Sequence, residues 1–274
     1  MKLILKIGFL ALIITSIGCK TTTNEQIKEI EIAEFGNILD SFQVVGSILI
    51  YDYDNKTYYS NDFEWAKEGN LPASTFKIPN SIIAVELGVI ESDTTIIKWD
   101  GEERKMDIWE KDLTYKEAFQ VSCVPCYQEI ARQIGYNRMK DYLEKFDYKQ
   151  MVFDSSTIDN FWLEGDSKIS QFEQIEFLVK FYNSKLPISE RTEEIVKKIM
   201  VVEETENYIL SAKTGWGTRK GNDNGWFVGF IETDNKVYFF ATNVIPNEES
   251  NIDNFLLSRK KATLDALRDM KIII

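Results

Sequence analysis

Ser74 and Lys77 stand three residues apart in LPASTFKIPNS, residues 71–81, where the pattern has the look of a helix start. Positions i and i+3 of a helix share a face, so the Lys77 amine comes within reach of the Ser74 hydroxyl. A serine attacks a carbonyl only when a neighbour accepts its proton, and the chain has no histidine for that task. Lysine or a carboxylate must then be the base. Ser-x-x-Lys alone is a short pattern, and a helix N-cap followed by a solvated lysine accounts for it at least as well.

Two later stretches carry related chemistry. Lys213-Thr214-Gly215 is expected to end a strand, where the glycine lets a ligand approach the backbone while Lys213 and Thr214 present a cation and a hydroxyl. That combination suits an anion lying along a strand edge. Ser122-Cys123-Val124 falls in a helix-to-helix loop, where Ser122 can relay a proton and Val124 can form an apolar wall. Singly, these read as a strand-end turn and a helix-capping serine. In the order Ser-x-x-Lys, Ser-x-Val, Lys-Thr-Gly they are not independent accidents.

The elements that must position these residues follow from the periodicities. Residues 42–53 are β-rich and turn at Asp54-Asn55 into a second strand near Tyr58. Helical patterns cover 74–87, 114–121, 125–134, 137–146, 170–183 and 189–200. Strands return at 208–213, 226–232 and 236–243, and 253–270 is an amphipathic helix. Two β regions separated by a long helical stretch predict one α/β sheet layer interrupted by a helical insertion.

The chain opens with Lys2 and Lys6 ahead of an apolar run, residues 7–17, too short for a finished membrane span and suited to a secretory signal over residues 1–18. Ser16-Ile17-Gly18-Cys19 resembles a lipoprotein processing site, although Ser16 stands where such sites usually carry leucine. Lipidation of Cys19, a tether over 19–35 and work in the periplasm, anchored to the envelope, are the expectation. Composition, with 44% hydrophobic residues and only five prolines, provides for an ordinary globular core. A formal charge of −12 argues against nucleic acid as partner. No ligand spacing for a metal is present. Cys123 and Cys126 form C-V-P-C. Pro125 and the following YQEIARQIG suggest a loop entering a helix, without the βαβ setting of thioredoxin chemistry. A structural disulfide and two buried thiols both fit.

With these motifs assembled, the sequence resembles the penicillin-recognising serine acyltransferases, and most closely the class D, oxacillinase-type, β-lactamases. The resemblance runs from about Ile48 to the C-terminus through PASTFKI, DLTYKEAFQVSCVPCYQEIARQIG, DNFWLEG at 159–165, ISQFEQIEFL from Ile169 and SAKTGWG from Ser211. The glutamate-dependent class A pattern, Ser-Asp-Asn at the second motif, does not match Ser122-Cys123-Val124. The implied fold is α/β (α+β): an antiparallel sheet flanked by N- and C-terminal helices, within a catalytic domain over 36–274, with an all-helical insertion over about 64–200.

The resemblance implies a role for each residue. Ser74 attacks the β-lactam carbonyl. Lys77, N-carboxylated by carbon dioxide, is the general base, with Phe76 and Val124 as apolar neighbours and Trp162 as indole donor. Ser122 and Lys213 serve proton transfer. The amides of Ser74 and Trp216 form the oxyanion hole. Lys213, Thr214 and Arg259 bind the substrate carboxylate, with Lys260 or Lys261 as alternatives to Arg259, and Gly215 lines the substrate site. Where the family usually carries Tyr-Gly-Asn, this chain is read as Phe146-Asp147-Tyr148. Substrate range depends on the loops near Trp109, Trp216 and 219–224. Three other readings stand beside it: a β-lactam receptor that stays acylated, a peptidoglycan carboxypeptidase, and a redox lipoprotein using Cys123 and Cys126.

Overall fold

The computed structural model describes residues 27–219 and 221–273. The expected leader and Cys19 lie outside the described residues. Strand β1 (Lys28–Glu31) and helix α1 (Glu34–Ser41) lead into the hairpin β2 (Val44–Asp52) and β3 (Thr57–Ser60). Helix α2 (Phe63–Lys67) and a 3-10 turn, Ala73–Phe76, precede α3 (Lys77–Glu86). Two short strands, β4 (Ile96–Ile97) and β5 (Leu113–Thr114), come before α4 (Tyr115–Gln120), α5 (Val124–Ile134), α6 (Tyr136–Lys145), α7 (Gln171–Tyr182) and α8 (Glu190–Met200). The chain returns as β6 (Val201–Glu204), β7 (Tyr208–Arg219), β8 (Asn222–Thr233) and β9 (Val237–Pro246), and α9 (Ile252–Asp269) follows.

The seven strands run in the order β1-β3-β2-β9-β8-β7-β6, antiparallel throughout except for the parallel pair β1 and β3. Successive side chains of a strand face opposite sides, and here both sides are covered. Phe227, Ile231, Phe240 and Ile48 pack with Phe35 of α1 and Phe255 and Leu267 of α9. Val228, Phe230, Phe239 and Leu49 face the helical region and join Phe76, Phe119 and Phe181. Double coverage is why β8 and β9 read as near-continuous apolar runs. Each large side chain so buried contributes about 1.5–3 kcal/mol.

This is the expected α/β architecture, with three corrections. The insertion is not all-helical, because β4 and β5 pair within it and 147–170 contains no helix; two-residue strands are too short to show a period-two pattern. The tether does not extend to residue 35, and the domain starts before residue 36: Lys28–Glu31 joins the sheet as an edge strand whose four residues are all exposed. Its charged sequence, KEIE, suits an edge and hides it from a hydrophobicity reading. Finally, Lys213-Thr214-Gly215 lies in the middle of β7 rather than at its end. Strand β6 pairs with β7 only as far as Ser211, so from Ala212 onward that edge of β7 has no strand beside it among the described residues. No helix of the described residues is long and apolar enough to cross a membrane.

Candidate active site

The segment that carries Ser74 is drawn against β7 and β8 by backbone contacts that no motif announced. The Leu71 carbonyl accepts from Asn224 Nδ2 at 2.8 Å and from Trp226 Nε1 at 2.9 Å, and Asn243 in turn donates to Asn224. Thr75 Oγ1 donates to the Pro72 carbonyl at 2.7 Å and accepts from Gln174 Nε2 of α7 at 2.8 Å. A Cβ placed on Gly215 would lie 3.1 Å from Thr75 Cγ2 and 3.3 Å from the Pro72 carbonyl. The glycine therefore admits the protein's own Ser74 turn, beyond the ligand approach expected from sequence.

At the start of α3, Lys77 Nζ donates to Ser74 Oγ at 3.0 Å. Lys77 is 1% exposed and has no carboxylate partner among the described residues; its ammonium lies 5.1 Å from the Tyr127 ring centre. Burial without a counter-ion pushes its pKa down to about 7. Phe76, the preceding residue, stacks on the fully buried Trp162 at 5.3 Å and meets Phe161 and Tyr148 edge-on. Of the Phe146-Asp147-Tyr148 stretch, Tyr148 is the residue that reaches this cluster, and its buried hydroxyl has no hydrogen-bond partner among the described residues. Asp147 instead turns outward, with φ +57°, toward Lys149 and Lys180. Asn80, one helical turn beyond Lys77, is wholly buried with neither amide atom hydrogen bonded to a described residue; an asparagine inside a helix carries no chemical signature in the sequence.

Ser122 occupies a position that normally belongs to glycine. Its φ is +55°. The Ser122 amide donates to the Phe119 carbonyl and the Cys123 amide to the Ala118 carbonyl, the paired bonds of a Schellman cap on α4 with Ser122 at its left-handed residue. Cys123 then caps α5, its sulfur accepting from the Cys126 amide at 3.3 Å, and Cys123 and Cys126 form a disulfide. Helix α4, not a strand, precedes this pair, so the thioredoxin arrangement is absent here. Val124 opens α5, half-buried. Trp109 reaches the same loop, its indole donating to the Val121 carbonyl at 3.1 Å.

Lys213 spans the cleft from β7 and donates to Ser122 Oγ. It is 3% exposed; burial, then the nearby cations Lys77 and Arg259, hold its pKa well below the usual lysine range. Thr214 Oγ1 lies 3.5 Å from the same ammonium. Behind the strand, Arg259 of α9 donates to the Gly215 carbonyl at 2.8 Å, and burial pushes its pKa down to about 10. Gly225 makes room for it: a Cβ there would stand 2.8 Å from the Arg259 side-chain carbons. Lys261 pairs instead with Asp265 on the exposed side of α9, so it is Arg259 that backs the Lys-Thr-Gly strand. Trp216 follows on β7, its indole bonded to Asp223 at 2.9 Å and its ring 5.4 Å from the Lys105 ammonium, which arrives from the loop between β4 and β5.

Two serine–lysine pairs thus face each other, Ser74 with Lys77 and Ser122 with Lys213, beside an open strand edge backed by an arginine. This is the plan of a serine acyltransferase. The family model of the penicillin-binding protein transpeptidase domain matches residues 46–262. Beta-lactamase OXA-48 of Klebsiella pneumoniae is 42% identical over 229 residues, 83% of this chain and 84% of that protein. The crystal structure of a class D beta-lactamase from Sebaldella termitidis superposes with a TM-score of 0.85 at 39% identity, covering 90% of this chain and 99% of that one. A Class D beta-lactamase from Nostoc gives 0.82 at 40% identity, over 86% and 98%. The chain belongs to the class D β-lactamases.

Proposed function

We propose that this protein hydrolyses β-lactam antibiotics through an acyl-enzyme on Ser74, with Lys77 as the site of the general base. The observation that carries the reading is the 3.0 Å contact from a buried Lys77, without a counter-ion, to Ser74. A lysine held near neutrality is nucleophilic enough toward carbon dioxide to be carboxylated, and its burial beside the Tyr127 ring, without a carboxylate partner among the described residues, leaves the amine free for that reaction. The carbamate, when present, supplies an oxyanion base within reach of Ser74.

Ser74 Oγ attacks the carbonyl carbon of the lactam while its proton passes to the base at Lys77. Negative charge growing on the carbonyl oxygen is met by the Ser74 and Trp216 amides. The carbon–nitrogen bond breaks, and the ring nitrogen takes a proton from Ser122 Oγ, which the Lys213 ammonium supports. The proton held at Lys77 then passes through Lys213 to Ser122 Oγ, restoring both groups. Water attacks the ester, giving a proton to the freed base, which hands it to Ser74 Oγ as the acyl–oxygen bond breaks. Lys213, Thr214 and Arg259 hold the substrate carboxylate along the β7 edge, with Val124 as an apolar wall. We also propose export and lipid anchoring through Cys19, supported by the basic and apolar pattern of residues 2–19; mass spectrometry of the N-terminal peptide from native membranes tests this.

A time course with a chromogenic β-lactam in large excess, with and without bicarbonate, tests the reaction. Continuing turnover that bicarbonate accelerates is expected; a single-equivalent burst with a plateau overturns it. Replacing Trp162 by Phe removes the indole donor. It is expected to raise the bicarbonate concentration for half-activation about ten- to a hundredfold, the value of a hydrogen bond to a charged group, while saturating bicarbonate restores turnover. Arg259→Ala is expected to raise KM about tenfold or more for carboxylate-bearing substrates and to change kcat much less, read from steady-state kinetics.

A further inference from the structure

The Cys123–Cys126 disulfide lies inside the Ser-x-Val motif, with Cys123 between Ser122 and Val124. Ser122 has a side chain yet sits in the left-handed region, which L residues populate sparsely and which persists only where the surroundings over-determine it. Three restraints converge there. The Schellman bonds fix the amides of Ser122 and Cys123, the Trp109 indole holds the Val121 carbonyl, and the disulfide ties Cys123 to the first turn of α5. Of these, the covalent one is cleaved and re-formed by thiol–disulfide exchange.

It is also reachable. Cys123 itself is 1% exposed, but Cys126 is half-buried, and both line a cleft of about 330 Å³ walled by Trp99, Trp109, Pro125 and Arg132. The cleft admits a small dithiol.

We propose that the Cys123–Cys126 disulfide is a positioning device for Ser122 and makes acylation redox-dependent; this rests on the hydrolase reading above. A thiolate of a low-molecular-weight dithiol attacks the Cys126 sulfur, forming a mixed disulfide and releasing Cys123 as thiolate. The second thiol of the reagent closes on the first, freeing Cys126. The reagent is oxidised by two electrons, and its two protons end on Cys123 and Cys126. With the ring open, the Ser122–Cys123 peptide relaxes toward ordinary backbone angles and Ser122 Oγ leaves Lys213. Proton delivery to the lactam nitrogen belongs to acylation, whereas ester hydrolysis uses the base at Lys77, so only the first step slows.

The test poises the purified protein in dithiothreitol buffers of graded potential, counts free thiols by alkylation and mass spectrometry, and measures acylation and deacylation separately by rapid mixing. Far-UV circular dichroism monitors the fold. Reduction is expected to slow acylation about tenfold or more, with deacylation changed less than about twofold and the spectrum intact. In Ser122→Gly protein, the same reduction is expected to change the residual acylation less than about twofold. The proposal is overturned if both thiols are free and acylation is unchanged, if Ser122→Gly protein slows as much as the parent, or if both steps fall together with loss of helix signal. Failure of the oxidised protein to acylate at all overturns the hydrolase reading itself.

Discussion

Lys77→Met is expected to abolish multiple turnover while making the protein more stable. A general base contributes about 10²- to 10⁴-fold, and methionine can neither take the Ser74 proton nor be carboxylated. The same residue burdens the fold. An amine displaced from its usual range down to about 7 by burial alone is, near neutral pH, destabilising on the order of a few kcal/mol, and an apolar side chain of similar reach removes that penalty. The pH dependence fixes the sign. Between about pH 7 and the ordinary lysine range the unfolded chain binds a proton that the folded protein does not, so stability of the parent rises with pH there. The advantage of Lys77→Met should therefore be largest at and below pH 7 and fade toward pH 10, in unfolding measured without bicarbonate. A variant that still turns over many equivalents would remove Lys77 from the mechanism. One that is less stable than the parent at pH 7 would show that the amine is better accommodated than its burial implies.

Ser122→Gly separates function from folding in the same way. At a left-handed Schellman position glycine is the residue the backbone prefers, so thermal unfolding of the variant should be unchanged or stabilised by up to about 1 kcal/mol. Activity should move the other way. With the hydroxyl gone, Lys213 has no relay to the lactam nitrogen, and kcat/KM is expected to fall by roughly 10²-fold or more, within the range of lost acid–base catalysis. Loss of stability together with activity would mean that the Ser122–Lys213 bond holds the two halves of the cleft together. Full activity would mean that the proton reaches the nitrogen by another route.

Much of this was legible in the chain. The helices at 114–121, 125–134, 137–146, 170–183 and 189–200 appear nearly at their observed bounds, and the β8–β9 hairpin appears as two shorter strands, because 3.6- and 2-residue periodicities are local properties. So was the contact of Ser74 with Lys77: three residues on one turn is a local distance. The absence of histidine, together with the order of the motifs, named the candidate bases.

Other features were decided by residues far apart. Nothing near position 213 tells that Lys213 meets Ser122 across 91 positions, or that Leu71, Asn224, Trp226 and Asn243 share one hydrogen-bond cluster beneath the Ser74 turn. The continuation of β7 past Gly215 was hidden because glycine reads as a strand end, whereas packing of the 72–75 segment onto that strand rewards the missing side chain. The β1 edge was hidden because its four exposed residues carry no apolar alternation. Sequence determined which groups could react, since that depends on residue type and near neighbours. Only the tertiary structure decided how their acidities shift and which pairs face each other, because burial and long-range contact are properties of the packed chain.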